Sequence, residues 1–349
     1  MEKADCVVVG LGPAGAISLR SLALAGAKVV GLDSASFPRY KACGGALSAA
    51  AQLYLTEQLP ADGWQKAVED SLEEINVSLL HGDLLQLKAG SPVALLTMRE
   101  KLDHLLVKEA AAAGGEIREK CACTGVELVK EGAVVHTVSG PILARTVIGC
   151  DGALGPVAKS LGIAPAPAGA ALEAEVEVPP AVLSEWRSRG YISFGRPAWG
   201  YCWVFPKKEV LSCGAGTFRR GRAKLQEALQ ELLTHCRLTA YPKRLAGHLI
   251  PLFNHRRPIS KGPVLLAGDA AGLADPLSGE GIANALGSGI IAARQAAAFL
   301  NGKITDFNSY QKEIRQKILA NLTIAKRLAG LVYSRPGWFY HLLRGNPYL

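Results

Sequence analysis

Two turns rich in glycine and aspartate, far apart in the chain, constrain this sequence more than anything else in it. The first, Gly10-Leu11-Gly12-Pro13-Ala14-Gly15, follows a β-branched run at residues 6–9 and leads into an Ala/Leu-rich helical stretch. Residues 28–32 then read as a second strand ending in Asp33. Strand, glycine turn, helix, strand and acid in that order predict a βαβ dinucleotide-binding unit. The glycines let the backbone approach a pyrophosphate at the helix N-terminus, and an acid about 20 residues on takes the ribose hydroxyls. The second turn lies in the last quarter of the chain: Ala267-Gly268-Asp269-Ala270-Ala271-Gly272, then Asp275-Pro276-Leu277-Ser278-Gly279-Glu280-Gly281-Ile282. A nicotinamide cofactor needs only the first turn. FAD adds a ribityl chain and an isoalloxazine ring, and a second carboxylate-bearing turn suits the ribityl hydroxyls, so the pair points to FAD.

Size and composition narrow the alternatives. With 349 residues, 49% hydrophobic and 20% charged, the chain can bury a large core. The apolar run near the N-terminus stops at Gly10, too short and wrongly flanked for a signal peptide. No run approaches the roughly 18 apolar residues of a membrane span. Eight irregularly spaced cysteines give neither a disulfide framework nor a metal-ligand pattern, and a reducing cytoplasm is expected. The net charge of +9 suits an anionic membrane surface or an acidic electron donor. Nucleic acid is not expected as a partner, because basic and aromatic residues do not interleave along one element.

Beyond Asp33 the chain reads Phe37-Pro38-Arg39-Tyr40-Lys41-Ala42-Cys43-Gly44-Gly45-Ala46-Leu47-Ser48. Pro38, Lys41, Cys43, Gly44 and Gly45 match the PxxKxCGG pattern of the geranylgeranyl reductase family, which the chain resembles over essentially its whole length. The resemblance implies an α/β fold: a Rossmann-type FAD-binding domain, an inserted antiparallel β substrate domain and C-terminal helices. It lays this loop along the flavin, with Lys41, Cys43 and the Gly44–Ala46 backbone at the cofactor. The alternative is a glycine-rich surface loop whose cysteine is merely a small buried hydrophobe.

The same resemblance assigns further contacts. Thr97 is placed to cap a helix running to about residue 113, with Leu102, Leu105, Leu106 and Ala110 as its apolar stripe. Arg99, near that helix's start, falls against the phosphate and ribityl region. The plainer reading of Arg99 is a solvated i,i+4 pair with Asp103, worth about 0.2–0.5 kcal/mol. Asp151 and Gly152 form a turn at the end of another strand, as these flavoproteins show before the chain leaves the cofactor domain. Cys123, ending a strand over residues 116–123, lies near the adenine through its backbone alone.

Residues 164–169 are Pro- and Ala-rich and read as a linker. The expected division is a discontinuous FAD domain (1–75, 97–165, 260–302), a substrate domain (76–96, 166–259) in which strands dominate, and a helical C-terminal region (303–349). In the substrate segment, Tyr201-Cys202-Trp203-Val204-Phe205-Pro206 alternates. Period two puts Tyr201, Trp203 and Phe205 on one face of a strand. In an arbitrary β-domain ordinary sheet packing is the plainer explanation of such a row, but the segment also matches the family's YxWxFP signature, and that resemblance implies a wall of the substrate cavity over the flavin. An isolated prenyl double bond accepts hydride poorly, so protonation of the neighbouring carbon must accompany it and positive charge develops on carbon. Aromatic faces stabilise such charge by about 0.5–2 kcal/mol each. Tyr201, Trp203 and Cys43 are therefore the candidate catalytic residues, with Tyr201 and Cys43 as rival proton donors. His248 and His255 read as structural or solvated.

In the second turn, Asp269 is placed for the ribityl chain, Pro276 and Gly279 for the cofactor's edge, and Gly281 and Ile282 at the start of a small-residue helix continuing to about residue 299. The positive end of that helix stabilises negative charge on a reduced ring. Near the C-terminus Ile314, Ile318, Leu322, Ala325 and Ala329 form one helical stripe among Lys312, Arg315, Lys317, Lys326 and Arg327, followed by Trp338, Phe339, Tyr340 and Tyr348. That stripe either packs on its own domain or lies at a membrane surface, peripheral on the cytoplasmic membrane. The expected activity is FAD-dependent saturation of a polyprenyl group on a lipid, diphosphate, quinone or tetrapyrrole. NAD(P)H or a ferredoxin serves as external reductant. The rivals are a flavin monooxygenase of the same fold and a non-catalytic electron carrier or prenyl-lipid binder.

Overall fold

The computed structural model describes residues 1–61, 63–219, 224–238 and 242–345. Three sheets organise them. The first is built on the β-branched run: Glu2–Val9 lies between Ile142–Gly149 and Val29–Leu32, all parallel, and the order extends outward to Val264–Leu266 on one side and Glu116–Arg118 on the other. Its central residues Val7, Val8, Val30, Val147 and Ile148 are fully buried, which is what near-continuous apolar strands in a sheet covered on both faces predict. Helix Pro13–Leu24 lies beneath it, packed against Arg99–Ala112 and Ile282–Leu300. The last contact is close because small residues face each other: the Ser18 hydroxyl donates to the Gly289 carbonyl at 2.9 Å.

The second sheet runs Pro242–Pro251, Ala168–Val176, Leu211–Thr217, Gly200–Pro206, Arg189–Phe194, Glu74–Leu79, Leu84–Lys88, antiparallel except for the pairing of Arg189–Phe194 with Glu74–Leu79. Its faces separate with period two. Cys202, Val204, Cys213 and Ala215 pack under Ala228, Leu229 and Leu232 of helix Leu225–His235, while Trp203 and Phe205 pack on the opposite face with Leu72 and Leu96. Helices Pro180–Trp186 and Leu225–His235 thus interrupt the segment expected to be mainly strand. The sheet takes up the chain at Glu74, and Ala94–Thr97 belongs to a third, small sheet with Ala46–Leu47 and Val68–Leu72.

Two local expectations are corrected. Thr97 does not cap the helix after it. Its N–H donates to Gly45 and its hydroxyl to the Ala67 carbonyl at 2.7 Å, so it is used up in the small sheet, and Arg99–Ala112 starts from Met98 without a side-chain cap. Cys123 does not end the strand that begins at Glu116. That strand stops at Arg118, and Cys123 opens the next, Cys123–Val129.

Near the C-terminus, Asn308–Ile314 continues through a π-helical turn, Arg315–Leu319, into Ala320–Ser334, followed by Pro336–Gly345. Ile314, Ile318, Leu322, Ala325 and Ala329 are all buried against the rest of the chain, so the stripe packs inward. Tyr348 lies outside the described residues. Among the described residues, no helix is long and apolar enough to cross a membrane.

Candidate active site

The two glycine-rich turns meet across one groove. A Cβ on Gly268 would stand 3.1 Å from that of Ala14. The groove has a wider chamber of about 570 Å³ lined by Gly10, Gly12, Asp33, Cys123, Asp151 and Gly152, among others. A narrower one of about 100 Å³ includes Pro13, Ala14, Lys41, Cys43, Arg99 and Asp269, with Gly279, Gly281 and Ile282 at its end. Gly10 has φ +87°, and a Cβ on Gly15 would overlap the Gly10 carbonyl oxygen, so the turn and the helix close on each other only without side chains. Gly15 accordingly sits behind the groove. Pro276 is buried in its own turn and lines neither chamber.

Charge is arranged along the groove. Gly12 caps helix Pro13–Leu24, and a Cβ at Gly12 would meet only guanidinium nitrogens, Arg39 at 3.6 Å and Arg99 at 3.7 Å. Two guanidinium groups and a helix N-terminus around an open glycine make a cradle for a pyrophosphate. Both arginines are held by Asp103: Arg99 in a bidentate pair with both contacts at 2.8 Å, Arg39 at 3.2 Å. The Arg99–Asp103 pair is fully buried, not solvated, and the neighbouring carboxylate raises the Arg99 pKa against the opposing effect of burial. Asp33 accepts from the Leu11 N–H at 2.9 Å and stands 3.6 Å from Arg39.

At the other end, Asp269 faces Lys41 at 3.3 Å and His248 at 3.5 Å. Burial alone would raise its carboxyl, but Lys41, His248 and Arg99 more than offset this and hold it well below the usual carboxylate range. Asp151 differs. One oxygen accepts from the Val157 N–H at 2.8 Å; the other is buried with no partner among the described residues, and burial pushes the carboxyl up to about 6. An orphaned buried oxygen on the wall of the groove fits a ligand hydroxyl. Helix Ile282–Leu300 begins at Gly281 with no side-chain cap, leaving its first N–H groups directed at the narrow chamber. Burial raises the Cys123 thiol to about 11, and its sulfur turns to the Gly125 carbonyl, in keeping with contact through its backbone alone.

Beside the Cys43–Gly45 loop stands a tightly seated aromatic wall, although Tyr201 and Trp203 themselves line neither chamber. Trp203 lies flat over Gly214, where any Cβ would overlap the indole, and its ring N–H donates to the Ser212 hydroxyl at 3.4 Å. Ser212 in turn donates to buried Glu173 at 2.6 Å. The other oxygen of Glu173 accepts from the Cys43 N–H at 2.5 Å. Lys207, fully buried, donates to the carbonyls of Gly44 at 2.7 Å and Thr97 at 3.1 Å; burial pulls its pKa down to about 8, with Glu173 among the charges opposing the shift. The Cys43–Gly45 loop is thus clamped by two buried charges, while Gly44 lies under the Trp203 and Phe205 rings. Gly45 donates its N–H to the Cys43 sulfur at 3.4 Å, and Ala46 pairs with Leu96 in the small sheet. Neither Gly44, Gly45 nor Ala46 lines the two chambers. Tyr201 gives its hydroxyl to the Ser278 carbonyl at 2.5 Å, and burial raises its pKa.

Several residues of this site escaped the motif reading. Arg39 lies inside the quoted loop, and only the return of that loop over Gly12 shows its role. His248 is corrected from structural to groove-lining: strand Pro242–Pro251 crosses both chambers. Glu173 and Lys207 carry no motif; an isolated acid in an alternating strand and a lysine just past the end of another look like surface residues until burial is known. The aromatic wall also extends beyond Tyr201 through Phe218 (5.8 Å between ring centres) to Tyr333 (5.4 Å), and from Tyr333 through Phe194 (6.4 Å) to Phe339 (5.7 Å).

Comparison with known proteins accords with this geometry. A digeranylgeranylglycerophospholipid reductase of Methanosarcina mazei is 26% identical over 84% of this chain and 75% of its own length. A menaquinone reductase of Mycolicibacterium smegmatis is 27% identical over 95% of this chain and 85% of its own. The crystal structure of a geranylgeranyl bacteriochlorophyll reductase-like protein from Thermoplasma acidophilum superposes with a TM-score of 0.78 at 25% identity, covering 94% of this chain and 88% of that one. The FAD-binding domain family profile, FAD_binding_3, matches residues 3–323. The chain therefore belongs to the FAD-binding domain family, as an FAD-dependent oxidoreductase of the geranylgeranyl reductase type of fold.

Proposed function

We propose that this protein saturates double bonds of a polyprenyl group borne by a lipid or a quinone. The observation that carries the reading is the seating of the Trp203 wall directly on the Cys43–Gly45 loop, beside a groove built for FAD. The relatives named above, reductases of a prenyl lipid and of menaquinone, support it. When bound, FAD supplies the reducing chemistry, delivering hydride to one carbon of the alkene.

The chain's own residues do the rest. Arg39, Arg99 and the Gly12 turn hold the pyrophosphate, Asp33 and Asp269 the hydroxyls, and the amides at Gly281 and Ile282 the electron-rich edge of the ring. Trp203 and Tyr201 exclude water and stabilise positive charge on the second carbon, by about 0.5–2 kcal/mol per ring. A proton must reach that carbon. The Tyr201 hydroxyl is already donated to the Ser278 carbonyl, so we assign the proton to the thiol of Cys43, a residue that lines the narrow chamber; the thiolate recovers a proton from solvent after turnover. NAD(P)H or a ferredoxin is the proposed source of electrons.

An anaerobic single turnover tests the reading. Holoprotein reduced with dithionite is mixed with a geranylgeranyl lipid or a prenylquinone, and flavin absorbance and product mass are followed together. Flavin reoxidation with a gain of two hydrogens in the alkene is expected. A flavin that stays reduced until oxygen is admitted, with hydroxylated product or none, overturns the proposal.

A further inference from the structure

We infer that helices Ala320–Ser334 and Pro336–Gly345 form a docking face for an anionic lipid bilayer. The inward stripe of Ala320–Ser334 is used up in the core, yet the helix carries a second apolar row. Ile324, Leu328 and Leu331 are spaced by four and three residues, so they share one face, and they are 58%, 46% and 46% exposed. The next helix repeats the arrangement with Trp338 (51%) and Leu342 (40%). A helix apolar on one side packs; one apolar on both sides, with the outer row left in water, has a second surface to meet.

Charge names that surface. After Glu313 the sequence contains no Asp or Glu, while Arg315, Lys317, Lys326, Arg327, Arg335 and Arg344 are all exposed. Lys317 pairs with Glu313 and Arg344 with Asp83; the other four make no ion pair among the described residues. Arg327 borders the face of Ile324, Leu328 and Leu331, and Arg335 follows at the C-terminal end of the same helix. Basic residues bordering an exposed apolar row with a tryptophan match the depth profile of an anionic leaflet, where rings and branched chains enter the headgroup boundary and basic heads reach the phosphates. A second copy of the chain would bring like charges together, and an acidic protein would satisfy the arginines but not the apolar row. The inner sides of these two helices contribute Val332, Tyr333 and Phe339 to the aromatic cluster that reaches Tyr201. The face therefore lies one helix away from the proposed reaction wall.

The inference deepens the proposed function, by naming where a lipid-borne substrate is met, but it is measured without turnover, so the two fail separately. Full-length holoprotein is sedimented with vesicles of phosphatidylcholine alone and with vesicles also containing phosphatidylglycerol. Binding to the anionic vesicles, weakened by salt, is expected, together with quenching of Trp338 fluorescence by brominated acyl chains, a signal lost in Trp338→Phe. Leu328→Asp is expected to lower partitioning by about tenfold or more, with unchanged flavin spectrum and Tm; Leu328→Met keeps it. Equal or absent binding to both vesicles overturns the inference, as does a native dimer that Leu328→Asp converts to monomer.

Discussion

The cofactor groove is made of backbone and charge, whereas the wall beside it is made of aromatic rings, and the two respond differently to change. In the groove the decisive contacts come from turns: Gly12 open to two guanidinium groups, Asp269 held between Lys41 and His248, amides at the start of Ile282–Leu300. Each contact is polar, so losing one carboxylate costs binding directly. The wall is positioned from behind. Trp203 takes its place because Gly214 leaves room, Ser212 receives its N–H and Glu173 anchors Ser212, so its placement depends on residues that never approach a substrate.

That contrast is breakable. The largest effect is expected from Asp269→Ala, which removes a carboxylate shared by Lys41 and His248. Loss of a charge-assisted hydrogen bond is worth about 1.5–3 kcal/mol, so FAD affinity should fall about tenfold to a hundredfold, measured by titrating apoprotein with FAD. Unchanged affinity would mean that the groove does not rest on this turn. Gly214→Leu should act on the other region alone. The new side chain displaces the indole, so holoprotein forms with normal FAD affinity while single-turnover alkene reduction drops by about tenfold or more, in line with about 1–3 kcal/mol for overpacking. A fall in FAD affinity of the same size would erase the distinction drawn between the regions.

The smallest effect concerns the clamp that joins them. Lys207 titrates near 8 in the folded protein against 10.5 when unperturbed. Between those values the unfolded chain binds more protons than the native one, so this group's contribution to stability rises as pH increases from 8 to 10.5. Lys207→Met should flatten that part of the stability profile, read by urea unfolding at several pH values, and should loosen the Gly44 carbonyl it holds. A wild-type profile that already falls over this range, unaltered by the substitution, would place the lysine's charge elsewhere.

Much of this arrangement was legible in residue order. The βαβ unit follows from a β-branched run, glycines and an acid at set intervals, and the facing of Tyr201, Trp203 and Phe205 from strand period alone. The C-terminal stripe likewise obeys helical spacing, and all five of its residues are buried. Thr97 was misread because cap chemistry is local, and here a tertiary partner, Ala67, takes the hydroxyl first. His248 and Glu173 were missed for the same kind of reason: neither has a neighbour in sequence that marks it, and each acquires its role from a residue on another sheet or turn.

The sequence by itself determined the cofactor turns, the sheet that carries them and the alternation of the aromatic strand, because each depends on backbone freedom or periodicity within a few residues. Only the tertiary structure decided which charges converge on Gly12, what anchors Trp203 and which side of the C-terminal helices stays in water. Those outcomes depend on distances between elements, and burial turns an ordinary lysine or glutamate into a clamp only once another sheet has closed over it.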